Sequence, residues 1–156
     1  ASKATGDRYW RTDLGLEFYW DGTRWVTTQL FRTGIGVNVL NWAATTAGYV
    51  CQWPIDQTYN GMWIVCADFD TQVATTNDGS KYWTITLRSG DTDEAQTALG
   101  NFTTAADTLG KWVKHTIAVG AVLGGTATYI NVASAKTSTP GALYIGSTLV
   151  YRLIAT

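Results

Sequence analysis

Side chains suited to acid–base or metal chemistry are few in this chain of 156 residues, which has one histidine and two cysteines. His115 alternates in phase with Val113 and Ile117, so on a strand it points to the same face as these two apolar residues. We expect a core or interface histidine bonded to a backbone group rather than a catalytic or metal-binding one. No second histidine completes a zinc site, and the cysteines lie at no useful ligand spacing.

The two cysteines, Cys51 and Cys66, leave two interpretations open. If the segment between them is a hairpin that turns near Thr58 and Tyr59, the two thiols face each other and can form a disulfide. The interpretation that we favour is two small, buried, apolar side chains.

Two groups of carboxylates could act in hydrolysis or calcium binding. Asp68 and Asp70 lie at i and i+2 on one strand face, and Asp91, Asp93 and Glu94 cluster in a long connection. We favour a strand end that enters solvent and an acidic loop that caps a helix start. The Gly-x-Ser-x-Gly and Gly-x-x-x-x-Gly-Lys motifs do not occur. We therefore expect no enzymatic activity, no catalytic residue, no bound metal and no cofactor.

Aromatic residues give the strongest chemical signal, with eight tryptophans and eight tyrosines. Neighbouring residues on a strand point to opposite faces, so Phe18, Tyr19 and Trp20 cannot all enter one core. Either one face meets another subunit, or the segment folds back on the rest of the chain, which covers both faces. We favour the subunit contact and predict that it is made by Tyr9, Trp10, Phe18, Tyr19, Trp20 and Trp25.

A second set of aromatic and polar residues lies near predicted strand ends and in the long acidic connection. Exposed rings at such positions can stack on sugar rings, as in lectin-like modules, although packing at the rim of a sandwich is the simpler interpretation. The candidate ligand contacts are Trp112, Trp53, Asp91 and Asp93.

The elements that position these residues are predicted to be short strands. Arg8–Thr12, Leu16–Trp20 and a third strand that starts at Arg24 are separated by Asp13-Leu14-Gly15 and Asp21-Gly22, which are turn signals. Three such strands bury too little surface to be stable alone, so this meander must dock on something.

From Phe31 onward the strands become longer, and roughly eight to ten strands are predicted over the whole chain. Residues 82–88 alternate, which sends Trp83, Ile85 and Leu87 to the core. Residues 93–99 form the single predicted helix, and Gly146-Ser147 is predicted to break the last strand. The expected fold is all-β, a jelly-roll-like β-sandwich at residues 31–156, preceded by an N-terminal arm and a short three-stranded meander at residues 1–30.

Composition narrows the classes of partner. Charged residues make up only 15% of the chain and the net charge is -1, which argues against a nucleic-acid binder. No apolar run reaches the length of a membrane span, so we expect no membrane insertion. A surface this poor in charge is typical of β-sandwiches and of proteins that bury surface in oligomers.

Residues 6–27 carry a resemblance to a known family. Gly6-Asp7-Arg8-Tyr9-Trp10-Arg11-Thr12, followed by Phe18-Tyr19-Trp20-Asp21-Gly22-Thr23-Arg24-Trp25, resembles a pattern of bacteriophage tail-fibre and other virion appendage proteins, where it precedes a globular tip domain.

That resemblance implies a tail-fibre, spike or head-decoration component of a virion, assembled in the host cytoplasm. It implies a homo-oligomer, with a trimer favoured, and contacts with other virion proteins through multivalent binding. A monomeric carbohydrate-binding module that contacts a cell-surface glycan is the alternative. A small hydrolase that uses Asp68 and Asp70 ranks third.

Overall fold

The computed structural model describes residues 3–40, 48–54, 61–90, 96–124 and 129–155. These ranges contain eleven strands and no helix, and therefore no helix that is long and apolar enough to cross a bilayer. The strands are β1 (Arg8–Arg11), β2 (Leu16–Trp20), β3 (Trp25–Thr27), β4 (Phe31–Leu40), β5 (Gly48–Pro54), β6 (Met62–Val73), β7 (Tyr82–Gly90), β8 (Thr97–Thr103), β9 (Val113–Leu123), β10 (Tyr129–Thr137) and β11 (Leu143–Leu153).

The strands form three antiparallel sheets. The meander has the order β1-β2-β3, and the two larger sheets have the orders β4-β11-β6-β9 and β5-β10-β7-β8. Each larger sheet interleaves early and late strands of the chain, as the two Greek keys of a jelly roll do. This confirms the predicted fold, an all-β jelly-roll-like sandwich preceded by a three-stranded meander.

The core lies between the two four-stranded sheets and follows the period of two expected for strands. In β7, Trp83, Ile85 and Leu87 are buried, while the residues between them are half-buried on the other face, as predicted. The central strand β6 buries Ile64 and Phe69 completely. The other completely or nearly completely buried side chains of this core include Val73, Ile130, Val132, Leu143, Ile145 and Leu149.

Two local predictions are wrong. Residues 97–99, predicted as the end of a helix, belong to the edge strand β8, while residues 91–95 lie outside the described residues. The strand β11 continues through Gly146 and Ser147, where its pairing with β4 only shifts register. In both places pairing with a neighbouring strand outweighs the local sequence preference.

The hairpin considered as one interpretation of the segment between the two cysteines does not form. Strand β5 pairs with β10, whereas β6 pairs with β11 and β9, so Cys51 and Cys66 lie in different sheets. Cys66 is a free thiol, half-buried on the same face of β6 as Asp68 rather than in the core. Burial raises the pKa of the Cys66 thiol.

The four outer strand pairs of the sandwich share one irregularity, a register shift. It occurs where β5 meets β10, where β4 meets β11, where β9 meets β6 and where β8 meets β7. Such bulges twist an edge strand and discourage the addition of a strand from another chain.

The sandwich has two distinct ends. Strand β11 ends, and β6 begins, where the meander docks, because Leu153 pairs with Met62. At the opposite end Leu143 pairs with Val73, and the loop between β8 and β9 packs there through a bond from Gly110 N to Val73 O of 2.9 Å. Eleven residues of β11 separate the ends, which corresponds to roughly 35 Å of strand.

Candidate functional site

The meander is joined to the sandwich by the backbone that follows β11. Val26 of β3 forms a bridge with Ile154, and the Ala155 amide donates to Trp25 O at 3.0 Å. The Leu153 amide donates to Thr27 Oγ1 at 3.2 Å. Strand β3 therefore extends the end of the sandwich, and β1 lies farthest from it.

Arg152 fixes this junction through its side chain. Its Nη1 donates to the backbone oxygens of Thr27 and Thr28. Its guanidinium carbon lies 5.5 Å from the ring centre of Tyr19, in cation–π geometry. The Tyr19 region of one face of the meander is thus covered by an arginine from the last strand of the sandwich.

The tight turns of the meander follow from its sequence. Gly15 and Gly22 have φ values of 62° and 104°, a backbone conformation that glycine adopts without steric cost. The Asp21 carboxylate accepts hydrogen bonds from the amides of Thr23 and Arg24, both at 2.8 Å. These turns align the strands so that Tyr9 lies opposite Phe18, and Trp20 opposite Trp25.

Four of the six predicted contact residues form a stack within the chain. Tyr9 stacks on Phe18 with ring centres 5.4 Å apart and meets Trp25 edge-on at 4.6 Å. Trp20 lies 5.5 Å from Trp25, and the Lys3 ammonium lies 4.4 Å from the centre of the Trp20 ring. Partial burial in this stack raises the pKa of Tyr9. Edge-on and offset pairs of this kind stabilise the sheet from within.

Phe18 is 0% exposed, so its ring has no surface to offer to another subunit. We correct the predicted set on this point, because alternation placed Phe18 on a face but could not show that the chain itself buries that face. Tyr19 lies under Arg152 on the other face. The interpretation in which the segment folds back on its own sandwich therefore describes most of the meander.

Trp10 is the exception among the six. It is 60% exposed and is the most exposed large hydrophobic residue in the described part of the chain. The alternation of β1 places Trp10 on the face opposite the stack, together with Arg8. Glu17 of β2 lies directly opposite Trp10. Arg8 Nη1 lies 3.4 Å from Glu17 Oε2. A large exposed indole between two charged residues is the feature of the meander best suited to contact another molecule.

The far end of the sandwich carries two further exposed apolar residues. Leu109 is 45% exposed and Trp112 is 51% exposed, both in the loop before β9. Gln72 Nε2 donates to Gly110 O at 2.6 Å, next to the Gly110–Val73 backbone bond. The loop is therefore held against β6, and Trp112 is the one predicted ligand contact that the structure shows to be exposed.

A partly buried polar cluster anchors the same loop. Asp107 Oδ2 lies 2.9 Å from His115 Nε2 and accepts a hydrogen bond of 3.2 Å from Thr71 Oγ1. The Phe102 ring stacks on His115 with centres 4.1 Å apart. Asn77 Nδ2 donates to Asp107 O at 3.0 Å. His115 thus bonds a carboxylate rather than the backbone group that we expected. The sequence pattern does not predict this pairing, because Asp107 lies in a loop and carries no periodic signal.

The remaining acidic pair shares one face of β6, as predicted. Asp68 accepts a hydrogen bond from Thr116 Oγ1 at 2.7 Å, and lies 3.4 Å from Lys114 Nζ and 3.9 Å from Arg32 Nη1. Two cations and a hydroxyl therefore surround this carboxylate, while Asp70 is exposed. The described ranges hold no group of three or more potential metal-ligating side chains.

The other candidate ligand contacts are not gathered near Trp112. Trp53 pairs with Ile130 at the meander end of the sandwich, whereas Trp112 lies at the far end. Asp91 and Asp93 lie outside the described residues. The structure thus separates Trp53 from Trp112 by the length of the sandwich.

Comparison with known proteins gives no family for this chain. No family model and no curated protein matches it. Among solved structures, a chain from the disulfide-linked pili of Bacillus endospore appendages is 13% identical, with a TM-score of 0.42 over 100% of this chain and 97% of that one. The VP2 subviral particle of infectious bursal disease virus is 11% identical, with a TM-score of 0.47 over 96% of this chain.

A second structure of infectious bursal disease virus, the Gt strain, is 12% identical, with a TM-score of 0.44 over 94% of this chain. This chain spans less than half of each viral chain, 38% for the subviral particle and 46% for the Gt strain. At these identities and TM-scores, the fold assignment rests on the strand order of the chain itself.

Proposed function

We propose that this chain is a structural component of a virion, in a tail fibre, a spike or a capsid decoration, and that it acts by binding rather than by catalysis. In this proposal the meander attaches the jelly roll to other chains, and the far end meets a neighbour or a receptor. The virion setting is supported by the resemblance of residues 6–27 to phage appendage proteins.

One observation carries the proposal: exposed apolar residues lie at both ends of the sandwich. Trp10 is exposed at one end, and Leu109 and Trp112 at the other, each on a segment held by several hydrogen bonds. Exposed indoles on ordered segments are common where proteins meet partners, because little conformational freedom is lost on binding. A chain with one contact at each end can link a particle to a second body, and several copies together bind strongly through individually weak contacts.

The proposal that the chain is part of a virion is tested by measuring whether the chain is present in purified particles. Particles are purified on density gradients from a culture that carries the gene, and mass spectrometry then measures the chain in particle and particle-free fractions. We expect the chain to band with particles, and to remain there after a high-salt wash. A chain found only in particle-free fractions contradicts the proposed setting.

A second candidate function, a carbohydrate-binding module, is favoured by the exposed indole of Trp112. An indole face offers a flat apolar surface on which a sugar ring can stack. A glycan panel is screened with the parent chain, with Trp112→Ala and with Trp10→Ala as the matched control at the other end. Binding that Trp112→Ala removes and Trp10→Ala keeps supports this function, whereas a flat response of the parent chain excludes it for the glycans tested.

A further inference from the structure

Two indoles form an open corner, the Trp20–Trp25 corner, on the face of the meander that carries the aromatic stack. Trp20 and Trp25 are partners across β2 and β3, with ring centres 5.5 Å apart and ring planes inclined by 62°. Tyr9 meets Trp25 edge-on at 4.6 Å and so fixes one wall of the corner. The three rings are half-buried, so each keeps part of its surface open to solvent. The opposite side of the meander is the Trp10 face, which consists of Arg8, Trp10 and Glu17.

A cation from the same chain occupies this corner. The Lys3 ammonium lies 4.4 Å from the centre of the Trp20 ring and 5.8 Å from that of Trp25, within cation–π range of both indoles. The segment after Lys3 is held by backbone bonds. The Gly6 amide donates to Trp20 O at 2.9 Å, and the Trp20 amide donates to Asp7 O at 2.8 Å. An ordered turn therefore brings the ammonium to the corner.

The charged groups of residues 3–30, all of which the structure describes, leave the indoles to hold this cation alone. None of the ion pairs in that range involves Lys3. The four carboxylates there have other partners, which are Ala4 N for Asp7, Arg11 for Asp13, Arg8 for Glu17 and Arg24 for Asp21. Arg152 lies against Tyr19 on the opposite face of the meander. The corner thus offers two aromatic walls and no acidic partner.

These surroundings favour a cation that needs no hydrogen-bond acceptor. A primary ammonium carries three N–H donors, and indole faces give it none of the oxygen acceptors that it has in water. Lys3 is exposed, so its contact with the rings is of the weak, solvated kind. A quaternary ammonium has no N–H donor and is covered by methyl groups, which pack on the rings while its charge meets the indole faces. It therefore loses less than a primary ammonium on leaving water.

We propose that the Trp20–Trp25 corner binds a quaternary ammonium group of the choline type, and that Lys3 is a tethered competitor which such a ligand displaces. The tether keeps Lys3 at a high local concentration, which compensates for its weak contact. The inference goes beyond the proposed function and does not depend on it, because the Trp10 face and the far end of the sandwich stay free for assembly. The trimethylammonium group has two sources, a free or polymer-linked choline and the headgroup of a phosphatidylcholine bilayer.

The site is tested by titrating the isotope-labelled full chain with choline chloride and following the indole N–H resonances by NMR. We expect saturable shifts at Trp20 and Trp25, with a dissociation constant on the order of 10 mM. Dimethylbutanol, the neutral isostere in which carbon replaces the choline nitrogen, is expected to bind at least about fivefold more weakly. A resonance of Trp83 that does not move verifies that the sandwich is unaffected.

Three variants assign the site. Lys3→Ala removes the competitor from an exposed position, and we expect it to bind choline about three- to sixfold more tightly. Trp20→Ala removes one wall, and we expect at least about tenfold weaker binding. Trp10→Ala is the matched control on the opposite face, and we expect its affinity to stay within about twofold of the parent. Lys3→Ala keeps the test decisive if Trp20→Ala unfolds the meander.

The outcomes decide each part of the proposal. Tighter binding by Lys3→Ala together with a weak response to dimethylbutanol supports it. Equal choline affinities of the parent and Lys3→Ala overturn the role of Lys3, and equal binding of choline and dimethylbutanol overturns the cation site. If neither indole shifts in the parent or in Lys3→Ala up to about 100 mM choline, the whole inference is overturned.

A vesicle assay distinguishes the two sources of the ligand. The chain is sedimented with phosphatidylcholine vesicles, and with phosphatidylglycerol vesicles as the control that lacks the trimethylammonium group. Sedimentation with the first alone, reversed by free choline, supports the site with a lipid headgroup as its ligand. Choline binding without sedimentation supports the site with a soluble or polymer-linked ligand. Failure of both binding assays overturns this inference and leaves the particle fractionation to decide the proposed function.

Discussion

Replacing Phe18 by alanine tests whether the aromatic stack is an internal anchor. Phe18 is completely buried and stacks on Tyr9 at 5.4 Å. Truncation of a fully buried phenylalanine costs about 3–5 kcal/mol of unfolding free energy, which combines lost apolar burial with the cavity left behind. Trp10→Ala is the matched control, because it removes a larger ring on the neighbouring strand of the same sheet, but from an exposed position. We expect it to change the unfolding free energy by no more than about 0.5 kcal/mol.

The assay is urea unfolding followed by far-ultraviolet circular dichroism, at a concentration low enough that self-association does not add to stability. The parent chain, Phe18→Ala and Trp10→Ala are compared under the same conditions, and unchanged slopes show that the free energies can be compared. A cost below about 1 kcal/mol for Phe18→Ala refutes the internal anchor. A cost for Trp10→Ala that equals the cost for Phe18→Ala refutes the assignment of Trp10 as a free, exposed side chain.

Three further predictions concern the sandwich. Asp107→Ala leaves His115 and Thr71 without their shared carboxylate. We expect the unfolding free energy measured in urea to fall by about 1–3 kcal/mol, and hydrogen exchange at Gly110 to become faster. A variant as stable as the parent contradicts the anchoring role. Gly141→Ala places a Cβ 2.7 Å from the Thr76 amide nitrogen and 2.8 Å from that of Thr75. We expect this substitution to lower the unfolding free energy by about 1–3 kcal/mol. The control Gly79→Ala meets no atom within 4 Å, and we expect it to change the unfolding free energy by no more than about 0.5 kcal/mol. Burial raises the pKa of Cys66, so the folded chain holds the neutral thiol to higher pH than the unfolded chain does. This thiol therefore favours folding at neutral pH, and the benefit is lost as pH rises. Alkylation of the folded chain by iodoacetamide is expected to begin at higher pH than alkylation in urea, and equal pH profiles contradict this.

The meander could be predicted from sequence because its signals are local. Asp21-Gly22 and Gly15 specify turns through backbone conformations that few other residues adopt, and aromatic residues fill the short strands between them. Alternation in β7 likewise identified Trp83, Ile85 and Leu87 as core residues. The overall fold follows from the number and spacing of such strands, since an all-β chain of this length closes into a sandwich or a barrel.

Non-local pairing was beyond the reach of the sequence pattern. The chain crosses from one sheet to the other between β5 and β6, so Cys51 and Cys66 separate although a hairpin would place them side by side. Residues 97–99 look helical by composition, but they become an edge strand because β7 offers them a ladder of hydrogen bonds. Such choices depend on which strand is adjacent in space, which a local pattern does not contain.

The candidate site shows the same limit. Sequence identified six aromatic residues in the meander, but their exposure depends on how they pack on one another and on which part of the meander the end of β11 covers. The bridge from Val26 to Ile154 and the side chain of Arg152 cover the meander near β3 and leave Trp10 exposed on β1. Asp107 carries no periodic signal either, because it lies in a loop and meets His115 only after the chain turns back into β9.

The central claim is that the exposed Trp10 face is an assembly contact, and the molar mass of the chain in solution tests it most directly. Light scattering on a sizing column is measured over a range of concentrations for the parent chain and for Trp10→Ala. The account predicts a parent mass that is a multiple of 17.0 kDa at high concentration, and a Trp10→Ala variant that remains monomeric there. A parent chain of 17.0 kDa at every concentration, or a Trp10→Ala variant that assembles like the parent, contradicts it.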